Sequence, residues 1–155
     1  MSIPEVGKKI RVTVPSTTAN LGPGFDCLGA ALDLYNEFIF TRIEGGGDRF
    51  DLIMESTDGN HLRGGPENLV FRAAQKVWES ANMDPFALEA RVKLAVPPAR
   101  GLGSSATAIV AGLIGANAIM DSPLSKEKLL ELAIDIEGHP AVSYTHLTLP
   151  TNPEV

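Results

Sequence analysis

At 155 residues, 44% of them apolar and 21% charged, the chain has the make-up of one globular domain, or of a domain with a fragment attached. Its formal net charge of −6 excludes general binding to nucleic acid or to an anionic membrane, because phosphate surfaces demand a basic face. Any phosphate must be held locally, by backbone N–H groups and a metal, and the single cysteine, Cys27, excludes an internal disulfide framework and suits a reducing cytosol.

No apolar segment of signal-peptide type is present in the opening "MSIPEVGKK". In "KKIRVTV" (Lys8 to Val14), Ile10, Val12 and Val14 alternate with charged or polar residues, which predicts a strand. "PSTTANLGPGFD" (Pro15 to Asp26) reads as a loop centred on Gly22, Pro23 and Gly24. "LGAALDLYNEFIFTRIE" (Leu28 to Glu44) moves into β-branched and aromatic residues, "EGGGDR" marks a turn, and "RFDLIMES" is the returning strand. In "PENLVFRAAQKVWESAN", Leu69, Val70, Ala73, Ala74, Val77 and Ala81 recur at helical spacing, with Arg72, Gln75, Lys76 and Glu79 outward. Trp78 on that helix is expected to pack rather than to stack on a base. "FALEARVKLAVP" predicts a strand with Leu88, Ala90, Val92, Leu94 and Val96 inward. The apolar run Ala106 to Met120 is broken by Thr107, Gly112, Gly115 and Asn117 and is too short to span a bilayer, so it reads as a buried helix. "SKEKLLELAIDIEG" (Ser125 to Gly138) is a further helix with Ser125 as N-cap, and Lys128 three residues on rules out a capping box. Strands and helices mix without the regular alternation of a doubly wound sheet. The fold class expected is therefore α+β, with helices packed on one face of a mixed or antiparallel sheet. From Ala141, "AVSYTHLTLPTNPEV" carries no helical period, and the break at Pro140 is abrupt.

The stretch "PPARGLGSSATAIVAG" (Pro97 to Gly112) is where these elements meet chemistry. A tight turn with a serine N-cap is one reading of it, but three features point to an anion. The stretch follows a strand and opens a helix, whose N–H groups and dipole favour negative charge. Gly101 and Gly103 let the backbone approach a phosphate closely. Ser104 and Ser105 place two hydroxyls at the helix start, one able to cap and the other to face a metal or a phosphate oxygen. It is not a Walker A loop, since the cation nearby is Arg100 and no lysine follows the second glycine. Nor is it a dinucleotide fingerprint, which needs a third glycine.

"PPARGLGSSATA" resembles the phosphate-binding motif of the GHMP kinases, small-molecule kinases named for galactokinase, homoserine kinase, mevalonate kinase and phosphomevalonate kinase. "VPSTTANLGPGFDCLG" is similar to the signature of the homoserine kinase branch, and "ELAIDIEGHP" resembles the stretch leading to the family's Glu-Gly-His-Pro-Asp-Asn motif. The resemblance runs from Lys8 to Pro140. It implies the family's N-terminal fold, like domain 2 of ribosomal protein S5, with residues 1–140 as the ATP-binding domain and the C-terminal ferredoxin-like domain missing. Residues 141–155, where Ala141–Val142 stands in place of the family's Asp-Asn, are expected to be a foreign or disordered tail, such as a translated linker.

The resemblance further implies ATP-dependent phosphorylation of the L-homoserine hydroxyl, placed in threonine biosynthesis and in the cytoplasm. ATP and Mg²⁺ are the cofactors it implies, with no nucleic-acid or membrane partner, and with a homodimer open to the full-length protein. The ATP phosphates fall to Pro97, Pro98, Ala99, Arg100, Gly101, Leu102, Gly103, Ser104, Ser105, Ala106 and Thr107. Ser105 and Glu131 are the expected Mg²⁺ ligands, a normal donor set for a cation that keeps several waters. Taken alone, Glu131 would be a solvated helix residue. Asn20, Asp26 and His139 are expected at the amino acid substrate, with Asp26 accepting from the ammonium group and Asn20 bonding a hydroxyl or carboxylate. An Asx turn would account for Asn20, and backbone N–H bonds for Asp26, without any substrate. Asn68 falls near the adenine, although an asparagine at a helix start also has a structural use. No residue of this chain is assigned as catalytic. The family's asparagine beyond His-Pro-Asp and the second-domain arginines that grip the substrate carboxylate are missing, so these residues by themselves are expected to be inactive. The alternatives are another GHMP kinase acting on a different small alcohol, and a nucleotide-binding remnant without turnover.

Overall fold

Alternation in two long strands sets the frame. In β1 (Lys9–Thr18) Ile10, Val12 and Val14 are buried, and in β2 (Ala30–Gly46) Asn36, Phe38, Phe40 and Arg42 hold the same inward phase. The two strands pair antiparallel, with Val12 opposite Phe38 and Val14 opposite Asn36. β3 (Phe50–Glu55) buries Phe50 and Leu52, and β4 (His61–Gly64) returns antiparallel to it. β5 (Phe86–Lys93) lies between β2, antiparallel, and β3, parallel. With β6 (Asn152–Glu154) against β1, the order β4-β3-β5-β2-β1-β6 makes a six-stranded mixed sheet. The computed structural model describes residues 3–19, 21–24, 28–47, 49–55, 61–64, 68–96, 102–138 and 152–154.

The parallel pair β3–β5 needs a crossover, and α1 (Leu69–Ser80) supplies it. Phe71 of α1 lies 4.8 Å from Phe50 and Trp78 lies 5.1 Å from Phe86, ring centre to ring centre, so α1 covers the β3–β5 half of the sheet. α2 (Ser104–Ile119) covers β1 and β2, and α3 (Lys126–Glu137) packs on α2 and α1. The opposite face carries the ion pairs Arg11–Glu37 and Arg91–Glu89. Helices on one face of a mixed sheet is the α+β arrangement expected. Burying each large side chain of this layer, such as Phe38, Phe40 or Phe86, stabilises by about 1.5–3 kcal/mol.

α2 is buried on nearly all sides, and its glycines serve close approach rather than bending. A Cβ on Gly112 would meet the Val70 carbonyl and Ala73 of α1, and one on Gly115 would overlap the Phe40 ring of β2. The helix therefore sits against both layers at backbone distance.

Five details differ from the sequence reading. β1 continues through Pro15 to Thr18, where a loop was expected, and its register with β2 breaks between Pro15 and Thr17. Such a break is where a strand tolerates proline. β4, too short to show alternation, was not expected. β5 ends at Lys93, so Leu94 is only half-buried; on α1, Phe71 joins the buried side and Leu69 and Ala81 pack against the core half-buried, while Trp78 packs as expected. Finally, part of the expected tail adds an edge strand: Asn152, Pro153 and Glu154 lie opposite Thr13, Val12 and Arg11. Main-chain pairing asks little of sequence, and proline suits an edge. Residues 141–151 and 155 lie outside the described residues.

Candidate phosphate-binding site

β5 hands the chain to Val96, and α2 begins at Ser104. The turn into α2 is made by Gly103, at φ 66° and ψ 26°, in the left-handed region. A side chain there would cost about 1–2 kcal/mol, which is a local reason for glycine. Gly103, not a serine, is the N-cap: no side chain caps α2, and the Gly103 carbonyl accepts from the Thr107 N–H at 2.9 Å. The expectation that one of the two serines caps the helix is corrected, because the left-handed turn leaves Ser104 already inside the first turn. The N–H groups of Ser104, Ser105 and Ala106 consequently have no partner within the helix, and the dipole adds positive potential at the same point. Ser105 is exposed beside them, while Ala106 and Thr107 are buried.

Beneath this turn the sheet contributes two side chains that the sequence reading did not single out. Asn36 of β2 is fully buried. Its Oδ1 accepts from the N–H groups of Ala95 and Val96, both at 2.9 Å, and its Nδ2 donates to Thr107 Oγ1 at 2.9 Å. Thr107 Oγ1 in turn donates to the Ser104 carbonyl at 2.7 Å. Ser16, buried at the register break of β1, donates from Oγ to the Leu102 carbonyl at 2.8 Å. A signal for Asn36 was present in the sequence: it shares the alternation phase of Phe38 and Phe40, where an apolar residue is the rule.

The other expected site residues fall as follows. Asn68 is the N-cap of α1, its side chain accepting from the Val70 N–H at 2.8 Å, so its amide oxygen is committed to the helix. Glu131 lies on α3 with its side chain 65% exposed, and its Oε2 accepts from Lys128 Nζ at 2.8 Å. That hydrogen bond raises the Lys128 ammonium above its ordinary range. At the start of α3, Ser125 caps as expected, accepting from the Lys128 N–H at 3.3 Å. Backbone N–H donation and the Ser125 hydroxyl hold the Glu127 carboxyl below the usual carboxylate range. Pro97, Pro98, Ala99, Arg100, Gly101, Asn20, Asp26 and His139 lie outside the described residues. Among the described residues, no three His, Cys, Asp or Glu side chains converge as a metal site. The Ser105 and Glu131 pair is an all-oxygen donor set of the kind that suits Mg²⁺ sharing phosphate oxygens and water.

The sequence model of the GHMP kinases N terminal domain matches residues 68–146, half of the chain, from the cap of α1 through the glycine turn and α3. The chain belongs to the GHMP kinase family. A homoserine kinase of Prochlorococcus marinus (strain MIT 9301) is 99% identical over 140 residues, which cover 90% of this chain and 44% of that protein. This GHMP kinase chain thus spans less than half the length of the curated relatives it matches. The crystal structure of homoserine kinase from Cytophaga hutchinsonii ATCC 33406 superposes with a TM-score of 0.75 at 24% identity, covering 96% of this chain and 47% of that one. The Methanococcus jannaschii mevalonate kinase gives a TM-score of 0.70 at 15% identity, over 96% of this chain and 54% of that one. At these identities the structures establish the GHMP kinase N-terminal fold, and a fold shared by kinases named for different acceptors does not name the acceptor. No helix among the described residues is long and apolar enough to cross a membrane.

Proposed function

We propose that the chain is the nucleotide-binding N-terminal part of a homoserine kinase, which transfers a phosphoryl group from ATP to the side-chain hydroxyl of L-homoserine, in threonine biosynthesis in the cytoplasm. The observation that carries this reading is the 99% identity over 140 residues to a protein named homoserine kinase. The uncapped start of α2 supports it, because open N–H groups at a helix N-terminus are built for phosphate.

In this reading the segment Pro97–Thr107 wraps the ATP phosphates, with the N–H groups of Ser104, Ser105 and Ala106 as donors. Ser105 and Glu131 hold Mg²⁺, which when bound neutralises charge on the phosphate oxygens. Asn68 serves the adenine with the amide group left free by its capping oxygen. Asn20, Asp26 and His139 hold the amino acid so that its hydroxyl lies in line with the phosphoryl group. Phosphoryl transfer demands placement and charge stabilisation far more than covalent help, which suits a site without a nucleophile.

The test is an ADP-release assay on the full-length Prochlorococcus relative with L-homoserine, mevalonate and galactose as competing acceptors. Homoserine is expected to be used at an ordinary enzyme rate, about 1–10³ s⁻¹, with the others near background. Preference for mevalonate or galactose would move the chain to another branch of the family.

A further inference from the structure

We propose that Asn36 is a positioning residue for the glycine loop, setting nucleotide affinity through Thr107 and in concert with Ser16. The proposal rests on the reading that this loop holds the ATP phosphates. The ladder between β2 and β5 ends at Glu37 and Lys93, and the Leu94 N–H turns to the Glu55 carbonyl. Beyond that point no strand among the described residues pairs with the Ala95 and Val96 N–H groups, and Asn36 Oδ1 takes both. With two donors facing Oδ1, the amide has one orientation, and its NH₂ group must face Thr107 Oγ1. The Thr107 hydroxyl spends its proton on the Ser104 carbonyl, so it meets Asn36 as an acceptor. One buried amide therefore ties the exit of β5 to the first turn of α2. Ser16 fixes Leu102, the last residue before the left-handed glycine, from the neighbouring strand.

Packing does not explain this choice. Phe38 and Phe40 occupy the next inward positions of β2, and a leucine at position 36 would continue the apolar face. It would also take the acceptor from the Ala95 and Val96 N–H groups and leave the Thr107 hydroxyl with its bond to the Ser104 carbonyl alone. Each hydrogen-bond partner of Asn36 lies at an end of the loop, at Ala95, Val96 or Thr107, so the amide is spent on the loop's span and direction. Asn36→Asp replaces the amide donor to Thr107 by charge. It keeps an acceptor for both N–H groups but sets a carboxylate beneath the turn where phosphate charge would gather.

The experiment uses the full-length Prochlorococcus relative carrying Asn36→Leu, Asn36→Asp, Thr107→Val, Thr107→Ser or Ser16→Ala. Kinetics are measured with ATP and homoserine varied separately, well below each variant's melting temperature. Asn36→Leu, Asn36→Asp and Thr107→Val should raise the KM for ATP about tenfold or more while the KM for homoserine stays within about twofold. Thr107→Ser, which keeps the hydroxyl, should recover most of the loss seen in Thr107→Val. If Asn36→Leu fails to fold, the Thr107 pair and Asn36→Asp decide. Lowered melting temperatures with ATP KM and kcat unchanged in Thr107→Val and Asn36→Asp would overturn the proposal and leave a purely structural bracket. Should the unsubstituted enzyme prefer another acceptor, the homoserine reading falls, while the ATP shifts measured with that acceptor still decide the role of Asn36.

Discussion

Glu131 is asked to do two things. Its carboxylate bonds Lys128 at the surface of α3, and in the proposed site it would turn to the cation. In the full-length relative, Ser105→Ala and Glu131→Ala should each lower kcat about 10²-fold, because they remove contacts to charge that develops in the transition state. Asn20→Ala and Asp26→Ala should act mainly on the KM for homoserine, and steady-state kinetics with each substrate varied will separate the two patterns. A second prediction concerns Glu127, whose folded-state pKa is depressed by backbone N–H donation and the Ser125 hydroxyl. A depressed carboxyl contributes stability above its unfolded pKa, and loses it as pH falls through the folded one. NMR titration should find Glu127 ionising below the ordinary glutamate range, and Glu127→Gln should flatten the acid limb of α3 helicity. The side chains of the site were unevenly legible in sequence. Ser105 and Glu131 were named through family motifs, whereas Asn36 belongs to no such motif. Its role emerges only when β5 and α2 are seen to meet over it.

Elements were legible where one period governed a whole segment. α1, α3 and the inward phases of β1 and β5 follow from spacing alone, and the predominantly apolar run of α2, broken only by small or polar residues, marks a buried helix. The extension of β1 to Thr18 was hidden by a proline and small polar residues, because pairing with β2 there depends on the partner rather than on local propensity. β4 and β6 are four and three residues long and pair through the main chain, which leaves no pattern to read. The glycines of α2 yield a prediction at this scale. Alanine is the better helix former by about 1 kcal/mol, so a substitution that only relieved backbone freedom would stabilise. Gly115→Ala would instead drive a methyl into the Phe40 ring, and it should destabilise by about 1–3 kcal/mol in thermal or denaturant unfolding. Relief of the clash by Phe40→Leu in the same chain would confirm the cause.

At the scale of the whole molecule, the chain carries the open end of α2 but spans only 44% of the length of its near-identical relative. Expressed as these 155 residues, it should bind Mg·ATP weakly and show no homoserine-dependent ADP release. Aligning two reactants is worth about 7–11 kcal/mol of barrier, and the substrate arginines implied by the family are not among these residues. Turnover by this polypeptide at a normal enzyme rate would refute that division of labour. We also read residues 141–155 as foreign to the family, and the genomic reading frame beyond Pro140 checks this directly, with Asp-Asn expected there. The bracket beneath the glycine turn has a further consequence, in time rather than in space. Its bonds join residues 60, 71 and 86 positions apart, so none can form until distant parts of the chain have met. Contacts of such separation pay their loop-closure entropy before they return anything, and they mature late in folding. An isolated peptide of Pro97–Gly112 should therefore have no measurable nucleotide affinity. If the assembled sheet offers the proposed site, nucleotide should protect the entire fold, raising stability by roughly 2.7 kcal/mol at a ligand concentration a hundredfold above Kd, which thermal unfolding with and without Mg·ATP will check.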